Sequence, residues 1–395
     1  MQDIHARGRL IGLVAVAACA ALTLAACSSS GGGSNGSSGS SGSASSISSG
    51  TTSGASTGST SGVSAQVTST VQSAMAGVTT WPGPTASVKA PSGKKITIIE
   101  CGSAGIGCVL AADAAKQAAD VLGWNAQIVD GKLDPTAWNS DISQAVSQGV
   151  DGIVLAAVDP RLVAGGMNAA KQAGIPVISI FSMPADSGTK AQAYVQTDHA
   201  QGGRIVADYM IDKSGGKANV LVLSDPTYPE TVFRDNALVS ELKAQCAGCT
   251  VTKQEISATT MSQQLAPQVT AALQQNPGID YIWAPADAYA PFIAQGIRTA
   301  GKSTLVKLIS AEGDPTAEGR VQSGEQAVDL ASDQGYMGWL AVDTLVRIFA
   351  KASYEATPAA PQQLLDSSNI SGVPSGKSWK IGVDYASKFA ALWGK

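Results

Sequence analysis

Beyond residue 27, few side chains in this 395-residue chain can bind or react, and they fall in groups. Four cysteines form two local pairs, Cys101/Cys108 and Cys246/Cys249. In an oxidising compartment such pairs read as two disulfides. A zinc site would need converging Cys and His ligands, and His199 is the only histidine after His5. Cys246-Ala247-Gly248-Cys249 also has the spacing of a redox dithiol, but its surroundings do not suggest a thioredoxin-like fold; free thiols are the remaining alternative. Nucleophile chemistry finds no frame. Gly102-Ser103-Ala104-Gly105 lacks the glycine two residues before the serine that a nucleophile elbow requires. There is no Gly-x-Gly-x-x-Gly after the first strand, no Gly-Lys-Ser/Thr loop and no metal-ligand cluster. His199 has no evident nucleophile to activate. The chain does not read as an enzyme, and no cofactor or metal is expected.

The compartment is read from the N-terminus. Arg7 and Arg9 precede an uncharged apolar run over residues 10–24, long enough for a signal sequence and short for a membrane span. It ends in Leu24-Ala25-Ala26-Cys27, which resembles the bacterial lipobox; Val16-Ala17-Ala18-Cys19 is a weaker match. The expectation is a signal peptide over 1–26, lipidation of Cys27, and attachment to the outer face of the cell membrane. Residues 27–62 are almost wholly Ser, Gly and Thr and form a flexible linker with a reach of roughly 30–35 Å. No charge occurs between Arg9 and Lys89, so this linker is not drawn to anionic headgroups.

The elements that must position the remaining polar groups follow. Val63, Val67, Val71, Met75 and Val78 predict a helix with an apolar stripe that docks on the body, followed by a Pro-rich lead-in, together spanning 63–91. Strands are expected at 96–99, 125–129, 152–157 and 176–181, starting 29, 27 and 24 residues apart. A second set at 219–223, 250–256, 281–284 and 306–309 starts at intervals of 31, 31 and 25. These are βαβ spacings, and two successive sets imply two Rossmann-like α/β lobes with parallel sheets. Segments 193–198 and 327–333 are further strands, the first bridging the two sets. Net charge is −4 with 14% charged residues and no basic stripe, so nucleic acid is not an expected partner.

In open α/β sheets, ligands sit beyond the carboxyl ends of the strands. That rule selects Ser103 and Ala104 at a helix N-terminus, Asp159 as a helix cap or a ligand contact, Phe181 and Ser182, Thr197, and Tyr228. The Cys101 and Cys108 thiols flank the first of these loops, and a disulfide there would fix its shape.

Gln148-Gly149-Val150-Asp151-Gly152-Ile153-Val154-Leu155, Ala173-Gly174-Ile175-Pro176-Val177-Ile178 and Thr197-Asp198-His199 with Gly202-Gly203-Arg204 resemble the type I periplasmic binding proteins, in their ribose-binding-like branch. The resemblance covers about residues 92–350. It implies two lobes joined by a three-crossover hinge, a small-molecule solute gripped between them, and delivery to an ABC permease and its ATPase, the protein acting as a monomer. The lobes would comprise 92–197 plus about 333–355, and 198–332 plus about 376–395. Arg234 matches a ligand-binding arginine of these relatives, and Asp287, Glu312 and Ser332 match positions of polar ligand contacts. Where sugar-binding relatives place an Asp-Arg clamp, this chain has Phe181 and Ser182, a departure that argues against a simple pentose and, with Met183, points to a more apolar or stacked ligand; the expected solute is small and polar, sugar-like or partly apolar. Carboxylates outnumber cations among the candidates, which disfavours an anionic solute. A sensory receptor signalling to a membrane partner is the alternative, and a secreted enzyme a remote one.

Overall fold

The computed structural model describes residues 63–184, 188 and 190–395. The expected signal peptide, Cys27 and the whole linker lie outside the described residues. After α1 (Ala65–Met75), strands and helices alternate as the sequence spacing predicts. β1 (Lys95–Glu100), α2 (Ile106–Val121), β2 (Asn125–Asp130), α3 (Pro135–Ser147), β3 (Gly152–Ala156), α4 (Ala164–Gln172), β4 (Val177–Ile180) and β5 (Ala193–Thr197) build the first lobe. α5 (His199–Ser214), β6 (Asn219–Ser224), α6 (Pro229–Gln245), β7 (Thr250–Glu255), α7 (Met261–Gln275), β8 (Tyr281–Trp283), α8 (Ala290–Thr299), β9 (Lys307–Glu312), α9 (Pro315–Ser323) and β10 (Val328–Ser332) build the second. α10 (Gln334–Phe349) and β11 (Ala359–Ala360) return to the first lobe, β12 (Gln362–Asp366) to the second, and α11 (Tyr385–Leu392) ends the chain.

The first sheet has the order β11-β5-β4-β3-β1-β2 and the second β12-β10-β9-β8-β6-β7. All pairings are parallel except β12 against β10. Central β3 and β4 are buried at every position, as expected of strands covered on both faces by helices. The edge strands β2 and β7 keep exposed residues. The chain passes between lobes after β5, after β10 and between β11 and β12, which makes a three-strand hinge. At the first two passages an aspartate caps the incoming helix: Asp198 accepts from the amide of Gln201 at 2.8 Å, and Asp333 from that of Tyr336 at 2.9 Å. Two helical glycines set how closely helices approach. A Cβ on Gly203 of α5 would sit 2.2 Å from the carbonyl oxygen of Arg234 on α6, and one on Gly338 of α10 would sit 2.4 Å from that of Ala111 on α2.

α1 lays Val67 and Val71, each 2% exposed, on the core of the second lobe. Thr68 donates to Asp212 near the end of α5 at 3.0 Å, and the carbonyl of Met75 accepts from Gln363 at the start of β12 at 3.0 Å. α1 therefore runs from the pole remote from the strand ends towards the hinge. The following strap crosses to the first lobe. Gly382 donates to the Val78 carbonyl at 2.8 Å, Trp81 packs edge-on against Phe389 and Tyr336, and Val88 donates to the Leu392 carbonyl at 2.8 Å. α11, expected on the second lobe, instead packs on α10 of the first: Phe389 and Trp393 stack with Trp339, and the indole of Trp393 donates to Asp343 at 2.8 Å. Burial of Phe389 and Trp393 against α10 fixes this placement, which the long connection from β12 allows. β11 and β12, too short and mixed in pattern to stand out, were not anticipated from sequence.

Both cysteine pairs are disulfides, Cys101–Cys108 with Cα atoms 5.8 Å apart and Cys246–Cys249 with 5.4 Å. Among the described residues no helix is long and apolar enough to cross a membrane. Among them, too, no group of His, Cys, Asp and Glu is placed to hold a metal ion.

Candidate functional site

The strand ends of the second lobe gather the densest polar cluster. Arg234, one turn into α6, is 2% exposed, with its guanidinium 5.5 Å from the Trp283 ring centroid. One of its amino groups donates to the Pro285 carbonyl and lies 3.9 Å from Glu312, at the end of β9. Its Nε is buried without a protein partner. Glu312 has φ +122°, a conformation that L-residues rarely adopt. Its carbonyl is held by Ser332 at 3.1 Å and by the amide group of Gln334, whose Oε1 has no protein partner. Burial pushes the Glu312 carboxyl up to about 8; Arg234 pulls it down, and Asp287, Glu230 and Asp314 push it further up. Its side chain keeps 38% of its exposure, so cleft water screens part of this shift.

Glu230, at the start of α6, is raised to about 7, by burial first, with Asp159 adding to the rise and Arg234 and Arg161 opposing it. Asp159 and Arg161 belong to the first lobe, so the facing edges of the lobes are within electrostatic reach. Tyr228, preceding α6, is 39% exposed, and its phenol is raised by burial first, then by Asp225, Glu230 and Glu312. His199, just past the first crossover, is buried with Nε2 unpartnered; burial, then Arg234, lowers it to about 3, so it is neutral.

In the first lobe, Ser103 and Ala104 are exposed, and Asp130 accepts from the Ser103 amide and hydroxyl, both at 3.1 Å. Asp159 caps the short helix after β3, accepting from the Arg161 amide at 2.9 Å, and also pairs with the Arg161 guanidinium. Phe181 directly follows β4 at φ +71°, half-buried against the core, and Ser182 is buried with its hydroxyl 3.4 Å from the Val158 carbonyl. Thr197 is buried, its hydroxyl 3.5 Å from His199 Nδ1. Ser332, at the second crossover, is buried beside Glu312.

The structure thus brings Arg234, Glu312 and Ser332 into direct contact and sets Tyr228 beside them. Asp287 is different: it is 1% exposed, and its carboxylate accepts from Ser310 and from the amides of Gly313 and Asp314, inside the lobe. Glu230 and Gln334 belong with the cluster but do not stand out in the sequence, and His199, which the sequence offers only as a base without a nucleophile, lies beside it. Gln334 directly follows the Ser332-Asp333 pair, and Glu230 lies four residues before Arg234, one helical turn away. Those spacings were the available signals.

This arrangement, two parallel-stranded lobes with a three-strand hinge and polar groups at facing strand ends, has counterparts among known proteins. The periplasmic binding protein domain family matches residues 104–353. The chain belongs to that family. Within it the type I, ribose-binding-like proteins are the relatives. The ribose import binding protein of Bacillus subtilis is 27% identical over 240 residues, covering 60% of this chain and 75% of that protein. A putative rhizopine-binding protein of Rhizobium meliloti is 24% identical over 255 residues, covering 63% and 82%. Among solved structures, an ABC transporter solute-binding protein from Mycobacterium smegmatis with bound glycerol superposes with a TM-score of 0.65 at 21% identity, covering 73% of this chain and all of that one. One from Agrobacterium vitis bound to α-D-tagatopyranose also reaches 0.65, at 19% identity, with 73% and 100% coverage. These likenesses extend the family reading to the whole two-lobe fold. Family members are substrate-binding proteins rather than enzymes, working outside the cytoplasm.

Proposed function

We propose that this protein captures a small polar solute, sugar-like or partly apolar, by closing its lobes, and passes it to an ABC permease and ATPase. The observation that carries this reading is the Arg234–Glu312–Gln334 cluster at the strand ends. Arg234 Nε and Gln334 Oε1 are buried without protein partners, and such atoms cost about 1–3 kcal/mol each unless something bonds to them. A hydroxylated solute supplies both a donor and acceptors. Glu312, Ser332 and Tyr228 would complete that side, with Ser103, Ala104, Asp159, Phe181, Ser182 and Thr197 on or beside the opposing wall. Asp287 would support this wall from within.

The proposal extends to location. Lipidation at Cys27 would hold the body, as a monomer, at the outer face of the membrane, with the Ser/Gly linker leaving it free to move. The deciding experiment is to purify the protein, denature it and identify any released solute by mass spectrometry, then measure binding by calorimetry. A polyol or sugar bound by the wild type and lost in Arg234→Ala supports the reading. Binding confined to strongly anionic solutes would sink it. For the anchor, Cys27→Ser should move the protein from the membrane fraction to the medium; unchanged retention would refute lipidation.

A further inference from the structure

Asp287 and Asp329 form a buried carboxyl pair beneath the candidate site, and their surroundings do not match two ordinary carboxylates. Asp287 is 1% exposed and Asp329 fully buried. Asp287 already accepts three hydrogen bonds, from the Ser310 hydroxyl at 2.5 Å and from the amides of Gly313 and Asp314 at 2.8 and 2.9 Å. Ser310 is committed as a donor to Asp287 because it accepts from Gln326 at 2.7 Å, and Gln326 in turn accepts from Arg320 at 3.1 Å. Asp329 sits opposite Ser310 in the β9–β10 register, and its carboxyl abuts that of Asp287. No N–H or hydroxyl group reaches either of its oxygens. On its other side β12 offers Leu365, an apolar partner.

Two ionised carboxylates cannot share such a place; one proton between them satisfies the donor count. We propose that Asp329 is held as a neutral carboxylic acid whose hydroxyl donates to Asp287, and that this pair positions the loop presenting Glu312. The link is short. Asp287 grips the two amides that directly follow Glu312, which fixes the φ of +122° that aims its side chain. The charged groups around the pair argue the same way: Asp314, which caps α9, and Glu318 within it repel a second charge, while the Arg320 guanidinium, bonded to Gln326 and Thr316, reaches the pair only at the Asp287 backbone carbonyl, at 3.4 Å. Burial first, then repulsion by Asp287, raises Asp329 well above the usual carboxylate range. The functional meaning rests on Glu312 facing the solute; the positioning itself does not.

A test without any ligand keeps the two apart. Carboxyl-carbon NMR of the aspartate-labelled protein should show one aspartate still protonated at neutral pH, absent from the spectrum of Asp329→Asn. The amides of Gly313 and Asp314 should lose exchange protection in the wild type once the pH rises above neutrality. Asp329→Asn, whose amide donates permanently, should stay protected there, whereas Asp329→Ala should exchange about tenfold faster at every pH. An Asp329 that titrates in the ordinary carboxylate range, or an Asn variant that exchanges like the Ala variant, would overturn the proposal. So would loosening of the loop by a chelator, which would mean that a cation rather than a proton joins the pair. The wild-type titration needs no variant to fold. If solute binding then proves insensitive to Glu312→Gln while the loop behaves as described, the site reading fails and the positioning pair stands.

Discussion

Phe181 and Glu312 are held at positive φ, each at the end of a strand that points into the divide between lobes. For residues with a Cβ this costs about 1–3 kcal/mol per site, which surrounding structure must overcome. A pair of substitutions separates strain from packing at Phe181. Phe181→Ala keeps the strained backbone and loses the ring, whereas Phe181→Gly loses the ring and relaxes the backbone. In urea titrations the Gly variant should be the more stable by about 1 kcal/mol; an Ala variant equal to it would mean that the strain is not felt. Normal solute affinity in the Ala variant would remove the ring from the site. Arg234→Ala should weaken solute binding at least tenfold, read by calorimetry, and Arg234→Lys should recover little, since a point charge cannot replace a guanidinium fork stacked on Trp283. At this scale the sequence was a partial guide. Arg234, Glu312 and Ser332 were legible because the resemblance aligns them and the strand-end rule places them. The role of Asp287 was not, because an aspartate after a strand has the same letter whether it faces a cleft or braces a loop. Only its three donors inside the lobe distinguish the two.

The strand and helix spacing was legible almost throughout, because buried parallel strands read as short apolar runs and caps as Asp, Pro or Gly. Elements whose placement depends on distant partners were not: β11 and β12 are held by pairing, and α11 by aromatic packing with α10. The Gly202-Gly203 pair shows what a motif can mean physically. Gly203 lets α5 and α6 approach until the Arg234 carbonyl nearly touches its Cα, so Gly203→Ala must push away the turn that carries Arg234. We expect a stability loss of about 1–3 kcal/mol together with weaker solute binding. Gly107→Ala on α2, where a Cβ would meet nothing within 4 Å, is the control and should be neutral or stabilising by about 0.5–1 kcal/mol. Equal effects of the two changes on affinity would refute the packing argument. Reduction of Cys101–Cys108, which closes a loop of seven residues, should cost about 2–3 kcal/mol on the chain-entropy account, read as a fall in melting temperature under reductant.

For the molecule as a whole, the balance of perturbed groups sets the pH dependence. Glu230, Glu312 and Glu318 are raised to about 7, 8 and 8, chiefly by burial, and Asp208 to about 6 for the same reason. Groups raised on folding stabilise below their unfolded values, and that stability is lost as pH rises through the folded ones. His199, lowered to about 3, works in the opposite sense, removing stability as pH falls below its unfolded value. The carboxyls outnumber it, so the melting temperature should rise as pH is taken from about 8 towards about 5. A flat or inverted profile would show that these carboxyls are better hydrated than their burial implies. The two-lobe architecture itself was the most legible feature of the sequence, because it is written in a period repeated twice and needs no single residue.

The course of α1 has a mechanical consequence. Residue 63 enters the body at the pole of the second lobe away from the strand ends, and α1 then lies along α5 before the strap reaches the hinge. Tension applied at residue 63 therefore loads the interface between α1 and α5 first, as a peeling force on Val67 and Val71, while both sheets stay unstressed. In a force-clamp experiment that pulls on this end, the first rupture should be release of α1, with the sheets yielding later and at higher load. The helix is in that sense a fuse, taking up strain before it can reach the elements that grip the solute.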